Sequence, residues 1–152
     1  MPVFLVRHAS AGDPHRWSGD DRDRPLDERG RGQAMGLVAL LAPYRPERVI
    51  SSPAVRCVQT VAPLAEHLGL LSGTDDALYE GSTRAAVALV REATDGTVLC
   101  SHGDVIPYVL ETLEREDGWV GSRRRAWEKG STWILDRTPP GWAATYLTVA
   151  GG

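Results

Sequence analysis

Three short segments hold the side chains able to do polar chemistry, and each follows a run of strand-forming apolar residues. Arg7 and His8 come directly after residues 3–6. Ser51 and Ser52 follow Val49 and Ile50 and lead through Pro53 to Arg56. His102 and Gly103 follow residues 98–100. A guanidinium offers a planar fork of donors matched to the oxygens of an oxyanion. An imidazole is the one side chain that changes charge near neutral pH without help. Taken singly, each has a simpler explanation: a solvated strand end, an arginine decorating a helix face, a histidine satisfied by its neighbours. Two histidines and two arginines together are different, because unpaired buried cations cost several kcal/mol. The counterion that fits them is phosphate.

Those segments can meet only if the intervening chain returns each strand to the same side. Residues 11–24 are polar, rich in Gly, Asp and Arg, with Trp17 as the one large apolar residue, and read as a long loop. Asp27 offers an N-cap oxygen to a helix whose stripe is Ala34, Leu37, Val38 and Leu41, stopped by Pro43. Residues 48–51 read as a second strand. Pro53 then favours a helix start, with Val55, Val58, Ala62 and Ala65 as its stripe and Pro63 bending or shortening it. Further helices carry Ala86, Leu89, Val90 and Ala93, and then Val105, Val109, Leu110 and Leu113, with the strand of residues 97–100 between them. After a charged loop holding Arg123, Arg124 and Arg125, residues 131–135 and 144–149 read as a hairpin around Pro139, Pro140 and Gly141.

Strands alternating with helices imply an α/β, three-layer sandwich: a mostly parallel central sheet with helices on both faces, in one domain over residues 1–152. In such folds ligands sit outside the carboxyl ends of the strands, where all three polar segments fall. Gly103 would let backbone approach a ligand closely.

Composition narrows the partners. A formal charge of -3 over 152 residues gives no broad positive field, which argues against nucleic acid or an anionic membrane as the main partner. The two cysteines, Cys57 and Cys100, lie in apolar runs and cannot form a disulfide framework, so they read as core thiols of a reducing compartment. With Arg7 and His8 so close to the start, the first residues suit a buried strand rather than a signal peptide or anchor, and a cytoplasmic location is expected. Oligomeric state is left open.

The segments resemble the histidine phosphatase superfamily, the phosphoglycerate mutase-like group. Residues 5–9, Leu-Val-Arg-His-Ala, match its signature with Ala9 in place of the commoner Gly. Arg24-Pro25-Leu26, with Glu28-Arg29-Gly30 and Gln33-Ala34, is similar to the segment after the first loop. Ser51-Ser52-Pro53 with Arg56, Gln59 and Thr60 matches a second block, and Ser101-His102-Gly103 a third. Short length and the Arg24-Pro25-Leu26 segment look most like the small phosphohistidine phosphatase branch. Residues 17–21 and 129–133 are similar to the phosphatase-like domain behind some actinobacterial Nudix hydrolases. No Nudix domain is present here, and whether a separate Nudix protein works with this chain is left open.

The resemblance implies a phosphoglycerate mutase-like fold and a phosphatase acting on a phosphomonoester or phosphoramidate. His8 would be the nucleophile, forming phosphohistidine, with Arg7, Arg56 and His102 holding the phosphoryl oxygens. Alignment and charge neutralisation by fixed donors can suffice for phosphoryl transfer, so no metal or other cofactor is expected. Glu80 falls where superfamily members often place a general acid, although the small phosphohistidine phosphatases tend to lack it. Gly103 and, at the mouth, Arg16 are further substrate contacts, and Arg123 to Arg125 a basic rim unless they are a solvated face. The partner would be a phosphorylated small molecule or a phosphohistidine protein.

Two other readings stand beside this one. A non-catalytic phosphoprotein- or nucleotide-binding module would use the same cationic pocket, but would have no need of His8. A metal hydrolase ligated by His8, His102 and Asp104 would have to overcome repulsion from the adjacent arginines.

Overall fold

The computed structural model describes residues 1–149; residues 150–152 of the expected domain lie outside the described residues. The first strand, β1 (Val3–Arg7), is apolar and buried up to its last residue, Arg7, because both its faces are covered. Val3 and Leu5 pack into one cluster with Val90, Val109 and Leu113. Phe4 and Val6 pack into the other with Leu37, Val61 and Leu64. A strand buried on both faces is the signature of a sheet sandwiched between helices.

Its neighbours are β2 (Arg48–Ser51), β3 (Ser72–Thr74), β4 (Thr97–Ser101), β5 (Trp119–Gly121), β6 (Thr132–Thr138) and β7 (Gly141–Leu147). The seven strands form one mixed sheet in the order β3-β2-β4-β1-β6-β7-β5. Strands β3, β2, β4 and β1 run parallel. Beyond β1 the direction reverses at β6 and again at β7, which β5 joins in parallel. Helices α1 (Glu28–Leu41) and α2 (Val55–Leu68) carry Leu37, Leu41, Val61 and Leu64 into the cluster on one face. Helices α3 (Arg84–Glu92) and α4 (Val105–Glu116) bring Val90, Val109 and Leu113 to the other. The architecture is the expected α/β sandwich, a mostly parallel sheet with helices on both faces.

Register does the positioning. Arg7 pairs with Ser101 across β1 and β4, and Ser51 with Cys100 across β2 and β4. The pairing continues one residue past each strand: His8 N–H donates to Ser101 O at 3.0 Å and Ser52 N–H to Cys100 O at 2.9 Å. The residues leaving three adjacent parallel strands are thereby held side by side.

Several local expectations give way. Helix α2 passes through Pro63 to Leu68; the carbonyl that loses its donor belongs to Gln59, on the exposed side, where water can satisfy it. Its buried side is Arg56, Cys57, Thr60, Val61, Leu64 and Ala65, not the stripe of Val55, Val58 and Ala62. The stripe was misread because two polar residues are buried there with partners: Thr60 Oγ1 donates to Arg56 O at 2.6 Å and accepts from Ala9 N–H at 2.9 Å. The closing hairpin is longer and shifted, β6 reaching Thr138 and β7 ending at Leu147, with Gly141 already in strand. Short strands β3 and β5 were not legible as strands. The loop of residues 11–24 holds two single turns, Pro14–Arg16 and Asp21–Asp23, each capped by the preceding aspartate.

Candidate active site

The loop after β1 is fixed before any ligand arrives. Ser10 N–H donates to Gln33 Oε1 at 2.8 Å, and Ser10 Oγ donates to Asp27 Oδ2 at 2.8 Å. Asp27 also caps α1 by accepting from Gly30 N–H at 2.7 Å. Gly30 is required because a Cβ there would stand 1.9 Å from Ser10 O. Leu26 N–H donates to Gln59 Oε1 at 2.9 Å, tying the Pro25-Leu26 segment to α2. The residues of the recognised motifs that do not face the cavity are thus hydrogen-bond staples holding those that do.

A cavity of about 530 Å3 opens at the carboxyl edge of β1 and β4, lined by Arg7, His8, Glu80, His102 and Gly103 among the residues expected. The rings of His8 and His102 lie 5.4 Å apart, centre to centre. His8 is 6% exposed. Burial, reinforced by His102, Arg56 and Arg7 nearby, brings its pKa down from 6.5 to about 3. The ring is therefore neutral at pH 7. Nδ1 lies 2.8 Å from Ala9 O; a carbonyl only accepts, so the proton sits on Nδ1 and Nε2 keeps the lone pair.

His102 Nε2 lies 2.8 Å from Ser52 Oγ, and its Nδ1 is buried without a hydrogen-bond partner. Glu80 Oε1 stands 3.4 Å from that Nδ1, too poorly aligned for a hydrogen bond. Arg7 is anchored through Nη1 to Trp127 O at 2.8 Å, while its Nε is buried and unpartnered. A Cβ on Gly103 would sit 2.7 Å from the Arg7 guanidinium, so only glycine leaves Arg7 in place. Buried polar atoms without partners are rare, and beside this cavity the Arg7 Nε–H leaves a donor free for an anion.

Two expected residues stand elsewhere. Arg56 is fully buried but does not line the cavity. Its fork is turned to Asp21 O at 2.8 Å, to Asp21 Oδ2 at 3.2 Å and to Glu80 Oε1. Glu80, half-exposed, stands between Arg56 and the cavity. The start of α2 is likewise not part of the lining, because the carboxylates of Asp21 and Glu80 satisfy the arginine there. Arg16 lies in a neighbouring groove. Arg123 and Arg125 do not rim the cavity; they pair with Glu114 and Glu111 of α4.

Lining residues without a role in the phosphatase reading of the sequence are Gly12, Pro14, Arg24, Asp104 and Lys129. Arg24 is committed to Asp21 Oδ1 at 2.9 Å and Ala11 O at 2.6 Å. Asp104 Oδ2 accepts from Gly81 N–H at 2.8 Å, which fixes the turn carrying Glu80. Lys129 is held over the site because Gly130 N–H donates to both Arg7 O and His8 O. One signal could have found it: of the 17 cationic residues, Lys129 is the single lysine. No cluster of three or more His, Cys, Asp or Glu able to hold a metal occurs among the described residues. Cys57 and Cys100 are buried free thiols.

The sheet order, the covering helices and the cavity at the carboxyl edge place this chain among the phosphoglycerate mutase-like α/β proteins. The chain belongs to the histidine phosphatase superfamily, branch 1, which residues 3–84 match. It is similar over 97% of its length, and 97% of the other, to a SixA protein from Agrobacterium tumefaciens assigned to the phosphohistidine phosphatases, with 25% identity and a TM-score of 0.78. A protein histidine phosphatase SixA complexed with tungstate shares the fold at a TM-score of 0.73 and 21% identity, over 97% of this chain and 94% of the other. Over 140 residues, 88% of this chain, it is 39% identical to the 8-oxo-(d)GTP phosphatase of Mycolicibacterium smegmatis. The chain spans 43% of that curated relative's length. No helix among the described residues is long and apolar enough to cross a membrane.

Proposed function

We propose that this chain is a phosphatase in which His8 accepts a phosphoryl group and passes it to water. The single observation that carries the reading is a buried imidazole whose Nδ1 is taken up by Ala9 O, on a residue that lines one cavity with Arg7, His102 and Lys129. In the first step the Nε2 lone pair attacks phosphorus, the N–P bond forms, and the bond to the leaving oxygen breaks with its electron pair. In the second, water attacks phosphorus and the N–P bond breaks, returning the imidazole and inorganic phosphate. Arg7 and His102 stabilise the charge spread over the phosphoryl oxygens, a role in which fixed donors replace a metal.

Arg56 acts through Glu80 and Asp21, and reaches phosphate only if Glu80 moves aside. Glu80, a carboxyl that lines the cavity, serves as proton donor for leaving groups that need one. The substrate is a phosphomonoester, a phosphoramidate or a nucleotide; the last is favoured by the likeness to an 8-oxo-(d)GTP phosphatase. A binding module with the same cations would not need a lone-pair nitrogen at its centre. Replacing His8 by Ala should abolish phosphate release across a panel of phosphorylated metabolites, and the wild type should yield an acid-labile, base-stable phosphoenzyme. Undiminished turnover by His8→Ala would refute the mechanism.

A further inference from the structure

Beside the cavity lies a groove of about 290 Å3 that shares Gly12 and Arg24 with it. Its walls include Trp17, Pro25 and Leu26, with Arg16 and Asp13 at its edge. Trp17 is 38% exposed, a large apolar surface for a residue that packs into none of the core clusters. It is nevertheless held still. Its indole Nε1 donates to Asp20 O at 2.9 Å, and the turns on either side are capped by Asp13 accepting from His15 N–H and Asp20 accepting from Arg22 N–H, each at 2.9 Å. An oriented aromatic face, continuous with an anion cavity and not used by the core, is a stacking platform.

The cavity holds a cation beyond Arg7 and the already committed Arg24. Lys129 at its rim is exposed and makes no hydrogen bond or ion pair with the described residues. Gly130 carries it over the backbone of Arg7 and His8, and its charge also acts on Asp27.

We propose that the groove is the base subsite for a nucleoside di- or triphosphate, with the base stacked on Trp17, a non-reacting phosphate against Lys129, and the terminal phosphorus at His8 Nε2. This rests on the phosphatase reading of the cavity and narrows its substrate class. The bond broken is the phosphoanhydride P–O bond. Its electron pair leaves on the shortened nucleotide, N–P forms on His8, and water then releases inorganic phosphate. A phosphate leaving group departs without needing a proton, so Glu80 can remain on Arg56 throughout. Arg16, expected to meet substrate, would do so at the base edge rather than in the phosphate cavity.

The test is calorimetric titration of a His8→Gln variant, which cannot turn over, with guanosine 5′-diphosphate and with inorganic pyrophosphate. The diphosphate nucleoside should bind about tenfold more tightly, equal to about 1.4 kcal/mol. Adding Trp17→Ala should erase that preference, Trp17→Phe should keep most of it, and Lys129→Gln should weaken both probes about fivefold. Equal binding of the two probes, or a preference that survives Trp17→Ala, overturns the subsite and leaves a sugar phosphate or a phosphohistidine protein as the better substrate. Phosphate release from acetyl phosphate by the wild type reports separately on the phosphatase reading. Release without a base preference refutes only the groove, whereas a base preference without release refutes only the phosphatase.

Discussion

Protonation of His8 is the perturbation that tests the site most directly. An ordinary histidine of pKa 6.5 is only about 3% neutral at pH 5, whereas one brought down to about 3 stays essentially neutral. The folded protein thus refuses a proton that the unfolded chain accepts. Stability must rise with pH over that window and fall as the solution is acidified from about 6.5 towards 3. From this group alone the loss between pH 7 and pH 5 is about 2 kcal/mol, approaching roughly 5 kcal/mol below pH 3. Urea unfolding of the wild type and of His8→Gln at pH 7 and pH 5 isolates the contribution as a difference, because the other titrating groups are common to both. Nuclear magnetic resonance adds a direct view: the C2 proton missing from the His8→Gln spectrum should show no titration between pH 8 and pH 5. A midpoint above about 5, or equal acid sensitivity of the two proteins, would show that the ring is not sealed as described and would remove the neutral nucleophile.

Gly103→Ala places a methyl 2.7 Å from the Arg7 guanidinium and should lower kcat/KM about 100-fold or more by moving that group about 1 Å, with a far smaller change in thermal stability; steady-state kinetics beside a melting curve reads both. Glu80→Gln removes the proton donor and should lower kcat by about 100-fold or more on a substrate with an alkoxide leaving group while changing acetyl phosphate turnover by less than about tenfold; equal losses on both would show that the residue acts only by holding Arg56 and His102.

Much of this molecule can be read along the chain. Unbroken apolar runs ending in Arg7-His8, Ser51-Ser52 and Ser101-His102 mark strands buried on both faces, and burial on both faces dictates helices above and below. The same runs place the two histidines at strand ends, since a charged or polar residue stops such a strand where the sheet meets water. Asp27 is legible as a cap because its oxygen has a local use, four backbone positions away at most.

Tertiary structure decides what depends on partners distant in sequence. Arg56 and Thr60 are buried on α2 because Glu80, Asp21 and the backbone of Ala9 satisfy them, so a stripe drawn from apolar residues alone misses the face. Short β3 and β5 are strands only because a neighbour offers a free edge; β3 is exposed throughout and β5 buries Trp119 alone, so neither carries a period to detect. Lys129 comes to the cavity of His8 from far along the chain, because Gly130 pins its loop to the backbone of Arg7 and His8. Sequence alone sets which groups are available and which runs must be buried. Which cation meets an anion and which is already spent on a carboxylate is a matter of distances that only the folded chain fixes.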